Sequence, residues 1–103
     1  MKNIKISKIY PIEDSDFFIS LLTINREKSL NSVNITVMNE LIGFLNLLKD
    51  DSFCKAVIIT GSGNKAFIAG ADIKLMSEMK PNEAYEYSLS GHLLCDMISN
   101  FNK

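Results

Sequence analysis

The residues best suited to chemistry in this chain are small ones. Ala69-Gly70-Ala71 presents almost no side chain, so a ligand can lie directly against its backbone. Gly70 also allows backbone angles closed to other residues. Ala66-Phe67-Ile68 precedes this stretch and Asp72-Ile73-Lys74 follows it. Asp72 reads as the cap of a short helix, which would leave nearby N–H groups pointing outward, unpaired and slightly positive. Shortly upstream, Ala56-Val57-Ile58-Ile59-Thr60 is an apolar run that reads as a strand buried on both faces. A strand delivering free N–H groups to a small-residue loop is how a fold presents half of an oxyanion hole. The chemistry expected of this chain belongs to backbone atoms.

Its reactive side chains offer less. His92 stands without a cysteine or second histidine at ligand spacing, so it reads as a packed or half-exposed histidine, and no metal site is expected. Glu40, Asp50, Asp51, Glu78, Glu83 and Glu86 fall on helix faces and ends, and no two are spaced for acid/base work on one substrate. Ser62 and Ser90 lack the strand-to-helix elbow of a nucleophile. Gly61-Ser62-Gly63-Asn64-Lys65-Ala66 matches the dinucleotide fingerprint G-x-G-x-x-A directly after a strand. That fingerprint needs a helix beginning inside it and an acidic residue ending a second strand roughly twenty positions on. Here a small-residue loop follows and the later region reads as helix, so nucleotide binding is the weaker reading.

The positioning elements are read from periodicity. Lys2 to Ile9 alternates polar and apolar and predicts a half-exposed strand; Pro11 to Asp16 is a turn. Phe17 to Ile24 is a β-rich second strand, expected to pair with the first as a hairpin. Apolar residues at Val33, Val37, Met38, Leu41, Phe44, Leu45 and Leu48 predict an amphipathic helix capped by Ser32. After the Ala66–Lys74 loop comes a helical turn to about Met79, then a second long helix with Asn82 as cap and Glu83 in its first turn. Tyr85, Leu89, Leu93 and Met97, with Leu94 and Ile98 beside them, are expected to form its one apolar face. The methionines 38, 76, 79 and 97 read as core or interface filler.

Composition narrows the class. At 103 residues, 47% apolar and 22% charged, the chain has room for one small folded domain. A net charge of −1 argues against nucleic acid or an acidic lipid surface as partner. Cys54 and Cys95 are far apart and read as buried apolar residues in a reducing compartment. No run reaches membrane-span length and no signal peptide opens the sequence, so a cytoplasmic protein is expected. The order β-β-α-β-loop-α supplies helix faces with little sheet to cover, which fits either a single compact layer pair or a sheet that continues in residues not present here.

Two blocks at this separation resemble the enoyl-CoA hydratase/isomerase (crotonase) superfamily. The first is Leu22-Thr23-Ile24-Asn25-Arg26-Glu27-Lys28-Ser29-Leu30-Asn31-Ser32; the second, after Val57-Ile58-Ile59-Thr60-Gly61, is Ala66 to Lys74. The resemblance runs from about Phe17 to the last residue. It implies an α/β fold, a crotonase-like β-β-α spiral, of which residues 1–103 would be an incomplete N-terminal part of a single domain. It implies that acyl-CoA binds with its thioester oxygen on two backbone N–H groups, the first that of Ala71 and the second from a Gly-rich segment further along the family's chain. Lys28, Ser29 and Leu30 fall where the family contacts CoA. Ala69, Gly70, Asp72, Ile73 and Lys74 fall along its adenine and pantetheine path.

Glu27 departs from the proline usual after Asn-Arg, at some loss of loop rigidity. The Gly-rich turn and the two glutamates that the family uses as acid and base are absent from these residues. The expected function is therefore the N-terminal part of an enoyl-CoA hydratase, adding water to trans-2-enoyl-CoA in fatty-acid or related metabolism, and inactive alone. The alternatives are the same part of an isomerase or of a multifunctional fatty-acid oxidation subunit, or a non-catalytic fragment that binds CoA or associates with itself. No cofactor is expected beyond the coenzyme A of the substrate. The family's trimers or hexamers imply a homo-oligomer at full length.

Overall fold

A computed structural model describes residues 3–103. Strand β1 spans Ile4–Ile9 and β2 Phe18–Ile24; the expected strand residue Lys2 lies outside the described residues. The two pair antiparallel, with Ile4 opposite Ile24 and Ile6 opposite Leu22. Helix α1, Ile35–Lys49, then carries the chain across to β3, Cys54–Gly61, which pairs parallel to β2 with Leu22 opposite Ile59. A parallel neighbour demands such a crossover because a tight turn cannot reverse the chain twice. The sheet order is β1-β2-β3.

Burial in β2 alternates with the pleat: Phe18, Ser20, Leu22 and Ile24 are all buried. The same row meets Val37, Leu41 and Leu45, which recur every fourth residue along α1. Ile4 completes this core from β1. Lys103 closes the far end of α1, its Nζ donating to the carbonyls of Leu48 at 2.7 Å and Asp51 at 2.6 Å.

Beyond β3, helix α2 covers Ile73–Ser77 and α3 covers Pro81–Ser99. Helix α3 packs on α1 through Tyr87, Gly91 and Leu94; a Cβ at Gly91 would sit 3.6 Å from the Met38 methyl.

Several expectations change. Asn34, not Ser32, caps α1: its backbone is extended and its Oδ1 accepts Val37 N–H at 2.9 Å. Val33 is outside the helix, held in a bridge to Ala71. Lys80, not Asn82, caps α3, with Pro81 as first helical residue and Glu83 accepting the Lys80 N–H at 2.9 Å. β3 lies at one edge of the sheet, and Ile58 is 44% exposed, so the strand is not buried on both faces. Of the face expected on α3, Leu94 is buried and Met97 packs against the core, but Tyr85, Leu89, Leu93 and Ile98 are exposed and Tyr87 is buried instead, because at about 100° per residue Tyr87 and Leu94 share the side opposite Tyr85 and Leu89. Both cysteines are free, Cys54 buried but Cys95 exposed, and His92 is exposed.

Candidate functional site

Two irregular segments, residues 26–33 and 61–72, form the site by bonding to each other. In the first, Glu27–Ser29 is a single 3-10 turn, and Leu30 and Asn31 follow in the left-handed region at φ 53° and 58°. Asparagine tolerates that conformation better than most residues. Asn31 is 1% exposed and uses both ends of its amide. Its Oδ1 accepts Arg26 N–H at 2.9 Å, closing its own turn. Its Nδ2 donates to the carbonyls of Ser62 at 2.9 Å and Ala66 at 3.0 Å, which fixes the loop after β3. Gly61 makes that closeness possible, since a Cβ there would lie 2.1 Å from the Phe67 carbonyl oxygen.

Three main-chain bonds then dock the small-residue loop. Ala69 N–H donates to Leu30 O at 3.0 Å, Val33 N–H to Gly70 O at 2.8 Å, and Asp72 N–H to Val33 O at 3.4 Å. Every peptide bond described is trans, so N–H and C=O of one peptide unit point in opposite directions. The Gly70 carbonyl faces Val33; the Ala71 N–H of the same unit therefore faces away. Ala71 is exposed, and its N–H has no hydrogen-bond partner among the described residues. Gly70 supports this turn at φ 113°, with open space where a Cβ would project.

Side chains brace the bridge. Asp72 Oδ1 accepts Leu75 N–H at 3.1 Å, making it the expected cap of α2, and Oδ2 lies 3.6 Å from Arg26 Nη2. Arg26 Nη1 donates to the carbonyl of Ser32. From α3, the buried Tyr87 hydroxyl donates to Val33 O at 2.6 Å. Burial pushes the Tyr87 phenol above its usual range and the Asp72 charge adds to this, while the Asp72 N–H and Arg26 pull the other way. The phenol accordingly stays protonated, as donation requires.

A cleft of about 220 Å³ opens beside the first segment, lined by Glu27, Lys28, Leu30, Asn64, Lys65 and Ala66 among others. It brings together two of the residues expected to touch CoA, Lys28 and Leu30, and adds Lys65, which the sequence reading did not single out. Ser29 does not line it; its backbone bonds Arg26 and Ser32 within the turn. Ala69 and Gly70 hold the loop by backbone bonds, and Ile73 and Lys74 are exposed at the start of α2. Glu27 accepts the Ser62 hydroxyl at 3.0 Å, linking the two segments where the family has proline.

A second, more apolar groove of about 430 Å³ lies between α2 and α3, with Met76, Met79, Ala84, His92 and Cys95 in its walls. Ala71 lines neither cavity. Arg26, Asn31 and Tyr87 are the site residues that sequence reading passed over; the first two were visible only as letters of the first motif. No helix begins within Gly61–Ala66, as a dinucleotide site would need. Among the described residues no group of three His, Cys, Asp or Glu could hold a metal ion, and no helix is long and apolar enough to cross a membrane.

Known proteins resemble this chain in sequence and in fold. The chain is 39% identical over 74 residues to the short-chain-enoyl-CoA hydratase of Clostridium acetobutylicum, covering 72% of this chain and 28% of that protein. It is 35% identical over 85 residues to the crotonyl-CoA hydratase of Syntrophomonas wolfei, covering 82% and 33%. The chain thus spans about a third or less of the length of these curated relatives. The crystal structure of enoyl-CoA hydratase from Bacillus anthracis superposes with a TM-score of 0.82 at 26% identity, over 96% of this chain and 36% of that one. The crotonase fold expected from sequence is the fold observed, as an incomplete domain. The family described as enoyl-CoA hydratase/isomerase matches residues 19–103, and the chain belongs to that family.

Proposed function

We propose that this chain carries the thioester-binding part of an enoyl-CoA hydratase, with the Ala71 N–H as the first donor of an oxyanion hole. The observation that carries the reading is the outward, unpartnered Ala71 amide, aimed by a peptide unit whose other end is bonded to Val33. Adding water to a trans-2-enoyl thioester builds enolate-like charge on the thioester oxygen. A preorganised donor at that oxygen is worth roughly 3–4 kcal/mol in the transition state. Lys28, Leu30 and Lys65 at the cleft, with Lys74 at α2, offer cations and apolar surface to the CoA portion. The relatives named above are hydratases, which favours that branch of the family over the isomerases.

The same reading makes the protein a cytoplasmic homo-oligomer; the exposed apolar residues Tyr85, Leu89 and Leu93 support self-association. It also makes these 103 residues a binding unit without turnover. The carboxylates nearest the loop are engaged, Glu27 by Ser62 and Asp72 by Arg26 and the α2 N-terminus, so neither is free to activate water. Titration calorimetry with crotonyl-CoA is expected to give saturable binding, while the enoyl absorbance stays constant. Absence of binding would remove the CoA reading, and a saturable loss of absorbance would refute the claim of inactivity.

A further inference from the structure

The hydrogen bonds around Ala71 form a line that starts at a cation. Arg26 Nη1 donates to the Ser32 carbonyl. The N–H of that same peptide unit belongs to Val33 and donates to Gly70 O at 2.8 Å. The N–H of the next unit is that of Ala71. Two trans peptide units therefore stand in series between the guanidinium and the outward amide. A positive charge at the first carbonyl draws electron density from its peptide unit, making the Val33 N–H a stronger donor. That in turn polarises the Gly70 carbonyl and, through it, the Ala71 N–H; hydrogen bonds in a chain strengthen one another in this way. The guanidinium is half-buried, at 16% exposure, so water screens its charge less than at the surface. Asp72 holds it in place from the other side at 3.6 Å.

We propose that Arg26 is a positioning residue that aims and strengthens the Ala71 N–H through the Ser32–Val33 and Gly70–Ala71 peptide units. The role in catalysis rests on the thioester-binding reading above; the polarisation itself does not. Tyr87 provides the contrast. Its hydroxyl holds the Val33 carbonyl, which belongs to the following peptide unit and lies outside the line.

The test uses the 103-residue chain labelled with ¹⁵N and ¹³C, comparing wild type, Arg26→Met, Arg26→Lys and Tyr87→Phe. The first readout is the Ala71 amide proton shift in the free protein. The second is the displacement of the carbonyl ¹³C resonance of [1-¹³C]crotonyl-CoA on binding. Arg26→Met is expected to move the Ala71 amide upfield and to cut the carbonyl displacement by roughly a fifth to a half. Arg26→Lys, which keeps the charge but loses the fork that reaches both Ser32 and Asp72, is expected to give a smaller change of the same sign. Tyr87→Phe, which loosens the same bridge without touching the line from Arg26, is expected to give the smallest change of the three in both readouts.

An Ala71 amide unmoved by the arginine variants overturns the proposal, and so does an equal shift in Tyr87→Phe, which would signal general loosening. If Arg26→Met fails to fold, the lysine variant decides alone by the same amide readout. A wild-type chain that shows no carbonyl displacement refutes the thioester reading, while the amide shifts still decide the relay.

Discussion

Gly70→Val is expected to abolish measurable binding of crotonyl-CoA while leaving most of the fold intact. The backbone at Gly70 has φ 113°, a region that a β-branched residue occupies only under strain of about 1–3 kcal/mol. No atom lies within 4 Å of the position a Cβ would take, so the new side chain meets no protein wall and projects into open space along the loop. The strain is relieved most easily by rotating the Gly70–Ala71 peptide unit, which takes the Gly70 carbonyl off Val33 and swings the Ala71 N–H out of line. Both effects act on the ligand, one by obstruction and one by lost direction, and a loss of at least roughly 10- to 100-fold follows. Calorimetry with crotonyl-CoA reads the affinity and urea unfolding reads the stability. An unchanged dissociation constant would take the loop out of the binding site.

Asn31→Ala should produce the largest stability loss of any polar substitution near the site, about 3–5 kcal/mol. Three hydrogen bonds disappear with one side chain. The Arg26 N–H and the Ser62 and Ala66 carbonyls then depend on whatever water can reach them, and alanine takes the left-handed conformation less willingly than asparagine. Asn31→Asp is a sharper version of the same test. It keeps an acceptor for Arg26 but sets a carboxylate oxygen against two carbonyl oxygens, so it should be no better than alanine. Equilibrium unfolding in urea measures both, and a loss below about 1 kcal/mol for either would mean that Asn31 is not what joins the two segments.

Much of the fold was legible because its signals are local. The alternation in β1, the β-rich run of β2 and the fourfold spacing of Val37, Leu41 and Leu45 need no knowledge of the rest of the chain. Most of the misreadings share one cause, which is contact between distant parts. Ser32 and Asn34 are both competent caps, and the choice falls to Asn34 because the bridge to Ala71 pulls Val33 into extended backbone. The apolar run of β3 suited a buried strand, but composition cannot say which edge of a sheet has a neighbour. Helix α3 carries apolar residues on two sides, and the fit of Gly91 against Met38, with the Tyr87 bond to Val33, selects the inner one.

At the site, the glycine and its small neighbours announced an exposed backbone, and Asp72 announced a cap. Arg26, Asn31 and Tyr87 could not be read for their roles, because each acts on a main-chain carbonyl or amide that every residue possesses. Their partners leave no mark in the sequence.

A recognition element steered by main-chain bonds separates two duties that side chains elsewhere must share. The outward amide owes its bearing to the Gly70 carbonyl and to residues 26–33, not to the side chains that surround it. Ile73 is 79% exposed and Leu30 46%, with Lys74 also exposed, so the side chains at these positions bear little of the architecture. On the proposed thioester-binding reading, selection could therefore retune which acyl carrier is preferred at those positions without disturbing the electrophile's anchor, and divergence in taste need not cost the scaffold its integrity.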